Sequence, residues 1–236
     1  MSIKMVLFDL DGTLLPMDQD VFIKTYFGRL AAFLGKMGYD VNKLVDSIWK
    51  GTSQMIKNDG SCTNEEVFWK VFGEVYGGSK EMDEPNLRRF YEEDFDNVSK
   101  SCGFDKMAKE VIGYVKSKGL RVALATNPIF PSVATKKRIA WAGLDLNDFE
   151  HITFYENSHF SKPNLKYYEE VLAKLNVSPT ECLMVGNDVA EDLVASKLGM
   201  KVFLLNHSIV NKFNLDYSNV PQGNFNDLLK YIDNLQ

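Results

Sequence analysis

The strongest constraint on this chain is a rhythm that begins after Gly103, where short apolar runs alternate with amphipathic stretches of helical period. A helix is predicted near residues 106–118, a strand at 121–125 ending in Thr-Asn-Pro, and a helix over 133–142. Residues 152–155 read as a strand, 165–175 as a helix, 182–185 as a strand, 189–198 as a helix and 202–205 as the next strand. Apolar strands separated by amphipathic helices call for a parallel sheet covered on both faces, an α/β fold. The stretch 206–224 is polar and carries no clear period, and a last helix is expected at 225–235.

Ahead of that rhythm stands one more apolar run, from Met5 to Leu10, which reads as a buried strand breaking into a tight turn at Gly12. Between Pro16 and about Ser101 the period is helical throughout. Phe22, Ile23, Tyr26, Phe27, Leu30, Ala31 and Leu34 recur at three- and four-residue spacing, as one apolar helix face does. Thr63-Asn64-Glu65-Glu66 has the capping-box pattern ahead of Val67, and a further helix is expected after Pro85. Roughly four helices thus interrupt the α/β pattern after its first strand. The expected division is a core of residues 1–15 and 102–236 and an all-helical cap of residues 16–101. Ligands of open parallel sheets bind beyond the carboxyl ends of the strands, so an insert leaving from that rim can cover them as a lid.

Composition narrows the partners. The 236 residues are 45% hydrophobic and 25% charged, the balance of a globular protein with a sizeable core. A net charge of -5 with no Lys/Arg run argues against nucleic acid. Cys62, Cys102 and Cys182 are odd in number and far apart, which indicates neither a disulfide framework nor a zinc site. The opening residues lack a signal-peptide apolar region and no stretch has the ~18 apolar residues of a membrane span, so a soluble cytoplasmic protein is expected. Nothing in the sequence fixes the oligomeric state.

Four polar clusters follow predicted strands: Asp9-Leu10-Asp11-Gly12-Thr13, Thr126-Asn127, Ser161-Lys162-Pro163, and Gly186-Asn187-Asp188 continuing to Glu191-Asp192. Parallel strands bring all four to one rim. Singly, each has an ordinary explanation: Asp and Gly form turns, and acids favour a helix N-terminus. Together they are acidic with one fixed cation, which suits a divalent metal and an anionic substrate. Two carboxylates about 4 Å apart repel by roughly 4 kcal/mol at an effective dielectric near 20, so Asp9 and Asp188 need a counter-ion to converge. Mg²⁺ suits them, because it takes oxygen ligands and commonly bridges carboxylates to substrate phosphate.

With these four motifs in this order, the chain resembles the haloacid dehalogenase-like hydrolases, specifically phosphatases of the D-x-D-G-T type. The resemblance implies a Rossmann-like core, a cap between the first two motifs, and Mg²⁺-dependent hydrolysis of a small phosphorylated metabolite through a phosphorylated aspartate. Carried over residue by residue, it makes Asp9 the nucleophile and Asp11 the general acid and base. Thr126, Asn127 and Lys162 would hold the phosphoryl group, and Asp9, the Asp11 carbonyl and Asp188 the metal. The fourth motif departs from the commonest Gly-Asp pattern. An ungapped match puts Asn187 and Glu191 on the acidic positions; reading Asp188 and Asp192 instead keeps both charges, with Glu191 as the competing acid. A phosphomutase would use the same two aspartates, and a non-catalytic binding module is the alternative of another class. Substrate choice is expected to lie in the insert, with Lys24, Arg29 and Lys50 as its polar candidates.

Overall fold

The fold is described by a computed structural model covering residues 2–235. Among these residues a five-stranded, all-parallel sheet runs in the order β2-β1-β3-β4-β5, with β1 Met5–Phe8, β2 Arg121–Leu124, β3 Cys182–Gly186, β4 Lys201–Leu205 and β5 Gln222–Gly223. Strand β1 is buried along its whole length because both faces are covered. On one face Val6, Phe8, Val122 and Val185 pack against Val111 of α5 (Met107–Ser117), Ile139 of α6 (Ser132–Trp141) and Leu228 of α8 (Phe225–Asp233). On the other, Met5, Leu7 and Met184 meet Tyr167, Tyr168 and Val171 of α7 (Leu165–Leu175). This is the two-sided, Rossmann-like architecture that the apolar strand runs imply. The sheet connection reverses between β1 and β3, which places the ligand crevice at their carboxyl ends.

The insert contains α1 (Gln19–Gly35), α2 (Val41–Ile56), α3 (Asn64–Tyr76) and α4 (Lys80–Glu93), followed by a 3₁₀ turn at Phe95–Ser101. Its apolar cluster includes Phe22, Tyr26, Leu30, Leu44, Phe72 and Phe90 and reaches onto the α/β part at Ala134 and Tyr155. The capping box at α3 forms as read, with Thr63 accepting the Glu66 N–H and Glu66 accepting the Thr63 N–H. The two connections to the core lie side by side, joined by an antiparallel bridge between Met17 and Cys102 and by the Gly103 N–H to the Pro16 carbonyl at 2.7 Å. At the opposite corner Asn64, fully buried, donates its amide to the Pro128 carbonyl and the Ser161 hydroxyl, each at 3.1 Å. The N–H groups of Asn64 and Glu65 bond to the carbonyls of Ser158 and Tyr155. No helix among the described residues is long and apolar enough to cross a membrane.

Three elements differ from expectation. Residues 152–155 form no strand; Ile152 makes a single bridge to Leu124. The Asn157 side chain then accepts the Phe154 N–H and donates to the Ile152 carbonyl, curling the chain away from the sheet. The helix expected over 189–198 is a short 3₁₀ helix at Leu193–Leu198. The Asp188 and Asp192 side chains take up the N–H groups of residues 187, 188, 190 and 191, so that stretch is satisfied without helix. Helix α4 begins well before Pro85, capped by Ser79, and carries the proline within it.

Candidate active site

The strand ends fix the floor of one cavity of about 380 Å³. Asp9 follows β1 directly, and its N–H bonds to the Val185 carbonyl of β3, so the carboxylate leaves the sheet at the crevice. The turn that follows requires Gly12, whose φ is +84° and whose Cβ position would lie 2.3 Å from the Asn187 amide nitrogen. That contact exists because Asn187, buried beside the turn, accepts from the Thr13 hydroxyl at 2.9 Å. The same hydroxyl lies 3.2 Å from Asp9 Oδ2. Asn187 Nδ2 in turn donates to the Ser208 carbonyl, so the tail with no clear period helps hold the floor.

Lys162 comes from the loop before α7 and is buried with its ammonium group between two carboxylates, 3.0 Å from Asp9 Oδ1 and 2.6 Å from Asp192 Oδ1. Burial works against its charge, but Asp192 and Asp9 outweigh that and hold its pKa well above the usual lysine range. Asp192 uses its second oxygen to accept the N–H groups of Asn187 and Asp188, each at 3.0 Å. Gly186 leaves it room, since a Cβ there would stand 2.0 Å from that oxygen. Asp192 is therefore a brace for the cation and the turn.

Asp188 and Glu191 complete the acidic wall. One Asp188 oxygen accepts from the N–H groups of Ala190 and Glu191 at 2.8 and 3.0 Å. Asn127 links the motifs: its carbonyl oxygen accepts from the Lys162 N–H at 3.2 Å and its amide donates to Glu191 at 3.0 Å. Thr126 is buried on the cavity wall, its carbonyl held by the hydroxyls of Thr153 and Tyr167 at 2.6 and 2.9 Å. Burial pushes the Asp9 carboxyl up to about 7, with Lys162 opposing and Asp192 and Asp11 adding to the rise. Burial likewise raises Asp188 and pushes Glu191 up to about 8.

Two residues with structural parts here escaped the sequence reading. Arg138 on α6 is buried and forms an ion pair with Asp11; its guanidinium also lies 4.4 Å from the Phe130 ring centroid. The available signal was an arginine on the inward face of α6, beside Ala134, Thr135 and Ile139. Asn187 is the other: an uncharged side chain does not read as a metal ligand, yet it holds the first motif against the fourth. The polar candidates of the insert fall elsewhere. Lys24 is exposed, Arg29 pairs with Asp94, and Lys50 pairs with Asp46 at 2.8 Å; none of the three lines the cavity. Each sits on the outer side of its helix, because the inward positions are taken by apolar side chains such as Tyr26, Leu30 and Ile48.

Comparison with known sequences agrees with this geometry: the model of the haloacid dehalogenase-like hydrolases matches residues 3–198. The chain belongs to that family. Among individual relatives of this haloacid dehalogenase-like protein is a glyceraldehyde 3-phosphate phosphatase of Methanothermobacter thermautotrophicus, 29% identical over 96 residues. That match takes in 40% of this chain and 41% of the relative, so the chain aligns with less than half of that protein. A 2-haloacid dehalogenase from Pseudomonas syringae shares the fold with a TM-score of 0.66 at 17% identity, covering 99% of this chain and all of the other. A hydrolase of the family from Bacillus subtilis, whose structure is described as bound to magnesium, superposes with a TM-score of 0.56 at 18% identity, covering 99% of this chain and 100% of the other.

Proposed function

We propose that this chain is a Mg²⁺-dependent phosphohydrolase that cleaves phosphate monoesters of small metabolites through an aspartyl-phosphate on Asp9. The observation that carries the reading is the Lys162 ammonium 3.0 Å from the Asp9 carboxylate at the base of a cavity that Asp11, Asp188 and Thr126 also line. An anionic substrate entering there meets a nucleophile and a fixed positive charge side by side.

The donors suit Mg²⁺. That ion takes one or two carboxylates and leaves its other positions to carbonyls, water and substrate. Burial raises Asp9 and Asp188 even beside Lys162, and Asp11 Oδ1 is buried without a hydrogen-bond partner. Asp9, the Asp11 carbonyl and Asp188 would hold the ion, which would supply positive charge to the phosphoryl oxygens.

The rest of the chemistry belongs to the chain itself. An Asp9 oxygen attacks phosphorus as the ester P–O bond breaks, and Asp11, entering the step protonated on the Oδ1 that has no partner, gives that proton to the departing alcohol. Asp11 then takes a proton from the water that cleaves the acyl phosphate and frees inorganic phosphate. Thr126, Asn127 and Lys162 hold the phosphoryl oxygens, while Arg138 positions Asp11 by donating to its Oδ2. Residues 16–101 act as the cap over a core of residues 1–15 and 102–236. The activity in the name of the methanogen relative supports the same reaction class.

Phosphate release from p-nitrophenyl phosphate, with Mg²⁺ and no bisphosphate activator, tests the reading. Asp9→Asn is expected to lower turnover by on the order of 10⁴ or more, as loss of a catalytic nucleophile does. Wild-type turnover in that variant would remove the covalent route.

A further inference from the structure

We infer that the alcohol released from the natural ester is bulky and largely apolar, an arylalkyl or alkyl group rather than a sugar or other polyol. This deepens the proposed phosphohydrolase function and rests on it for the reaction, though not for the binding preference.

The cavity that begins at Asp9 and Asp11 continues beneath the insert, and at about 380 Å³ it is of ligand size. Beyond the acidic floor its walls include Phe22, Phe27, Ile48, Trp49, Phe68 and Phe130. The charged side chains that reach these walls are already engaged. Glu65 pairs with Lys80 at 2.7 Å, and Arg88 with Glu92 at 2.9 Å and Glu84 at 3.8 Å. Glu156 accepts the Ser132 N–H with both oxygens, at 2.8 and 3.0 Å, and Lys212 donates to Gln19. Beyond the floor a polyol would find few polar side chains, chiefly Thr52 and Gln19, and each hydroxyl left unpaired would cost roughly 5- to 150-fold in affinity. An apolar group gains instead, by roughly fourfold for every methylene buried.

The test compares kcat/KM of the full-length protein with Mg²⁺ for 3-phenylpropyl phosphate and glycerol 3-phosphate, both esters of primary alcohols. We expect at least ~100-fold preference for the phenylpropyl ester, from several buried apolar carbons at about fourfold each. Trp49→Ala should reduce that preference roughly five- to tenfold; Trp49 is 47% exposed, so its removal leaves the insert core intact. Equal rates, or preference for the glycerol ester, would overturn the inference. If neither these esters nor p-nitrophenyl phosphate is cleaved, the hydrolase reading fails; whenever neither ester is cleaved, titration calorimetry with 3-phenylpropylphosphonate and glycerol 3-phosphate decides the binding preference. Selective binding of the phosphonate sustains the apolar chamber, and equal or absent binding of it ends the proposal.

Discussion

The floor and the roof of the cavity are held together by different physics. On the floor, Asp9, Thr13, Lys162, Asn187 and Asp192 form a chain of directional bonds between 2.6 and 3.2 Å long, in which each group fixes the next. In the roof, rings pack against rings: Tyr26 against Phe27 at 5.0 Å, Trp69 against Phe72 at 5.3 Å, Phe90 against Tyr91 at 5.3 Å. Directional bonds place atoms finely but tolerate no missing partner, whereas apolar contact depends mainly on area and volume. Chemistry belongs on the first kind of surface. Variation in the shape of a bound molecule is better accommodated on the second.

Substitutions can break this contrast. The largest effect is expected from Lys162→Met, which leaves Asp9 and Asp192 facing each other without their cation. Stability should fall by about 3 to 5 kcal/mol, as when one partner of a buried ion pair is removed, and turnover by at least roughly 10² to 10³. Urea denaturation and phosphate release measure the two, and both must drop if the floor is a single unit. Phe72→Ala should match the stability loss, at about 3 to 5 kcal/mol for a deleted buried ring. Since Phe72 is fully buried and does not line the cavity, its folded fraction should still turn over p-nitrophenyl phosphate near the wild-type rate. A collapse of specific activity in that variant would show that the roof is as exacting as the floor. The smallest change is Thr63→Ala, which deletes the α3 cap and should cost about 1 kcal/mol, read as a lowered denaturation midpoint with catalysis preserved.

The same contrast explains what could be read from the residues alone. The β1 run, helix α7 and the α3 cap follow local pattern, and α7 occupies the expected residues 165–175. Lys162 meets Asp9 as expected although the strand read at 152–155 does not form; it arrives from the loop ahead of α7 rather than from a strand end. Arg138 could not be paired with Asp11, 127 residues away, because the partner of a buried cation depends on helix packing that no spacing records. Asn187 was passed over because its value lies in a hydrogen bond to Thr13 rather than in charge. The strand at 152–155 and the helix at 189–198 failed for a common reason: polar side chains of Asn157, Asp188 and Asp192 took the backbone bonds that sheet or helix would have made. The aromatic spacing in α1 showed an apolar face, but which rings border the cavity depends on how the insert meets the core.

Asn64 joins the first turn of α3 to the chain just ahead of Lys162, through the Ser161 hydroxyl and the carbonyls of Ser158 and Phe160. A roof that lifts away must surrender bonds made by the very segment that carries the ammonium group. Were the insert to swing open, the mouth of the cavity and the position of the ammonium group would have to change together.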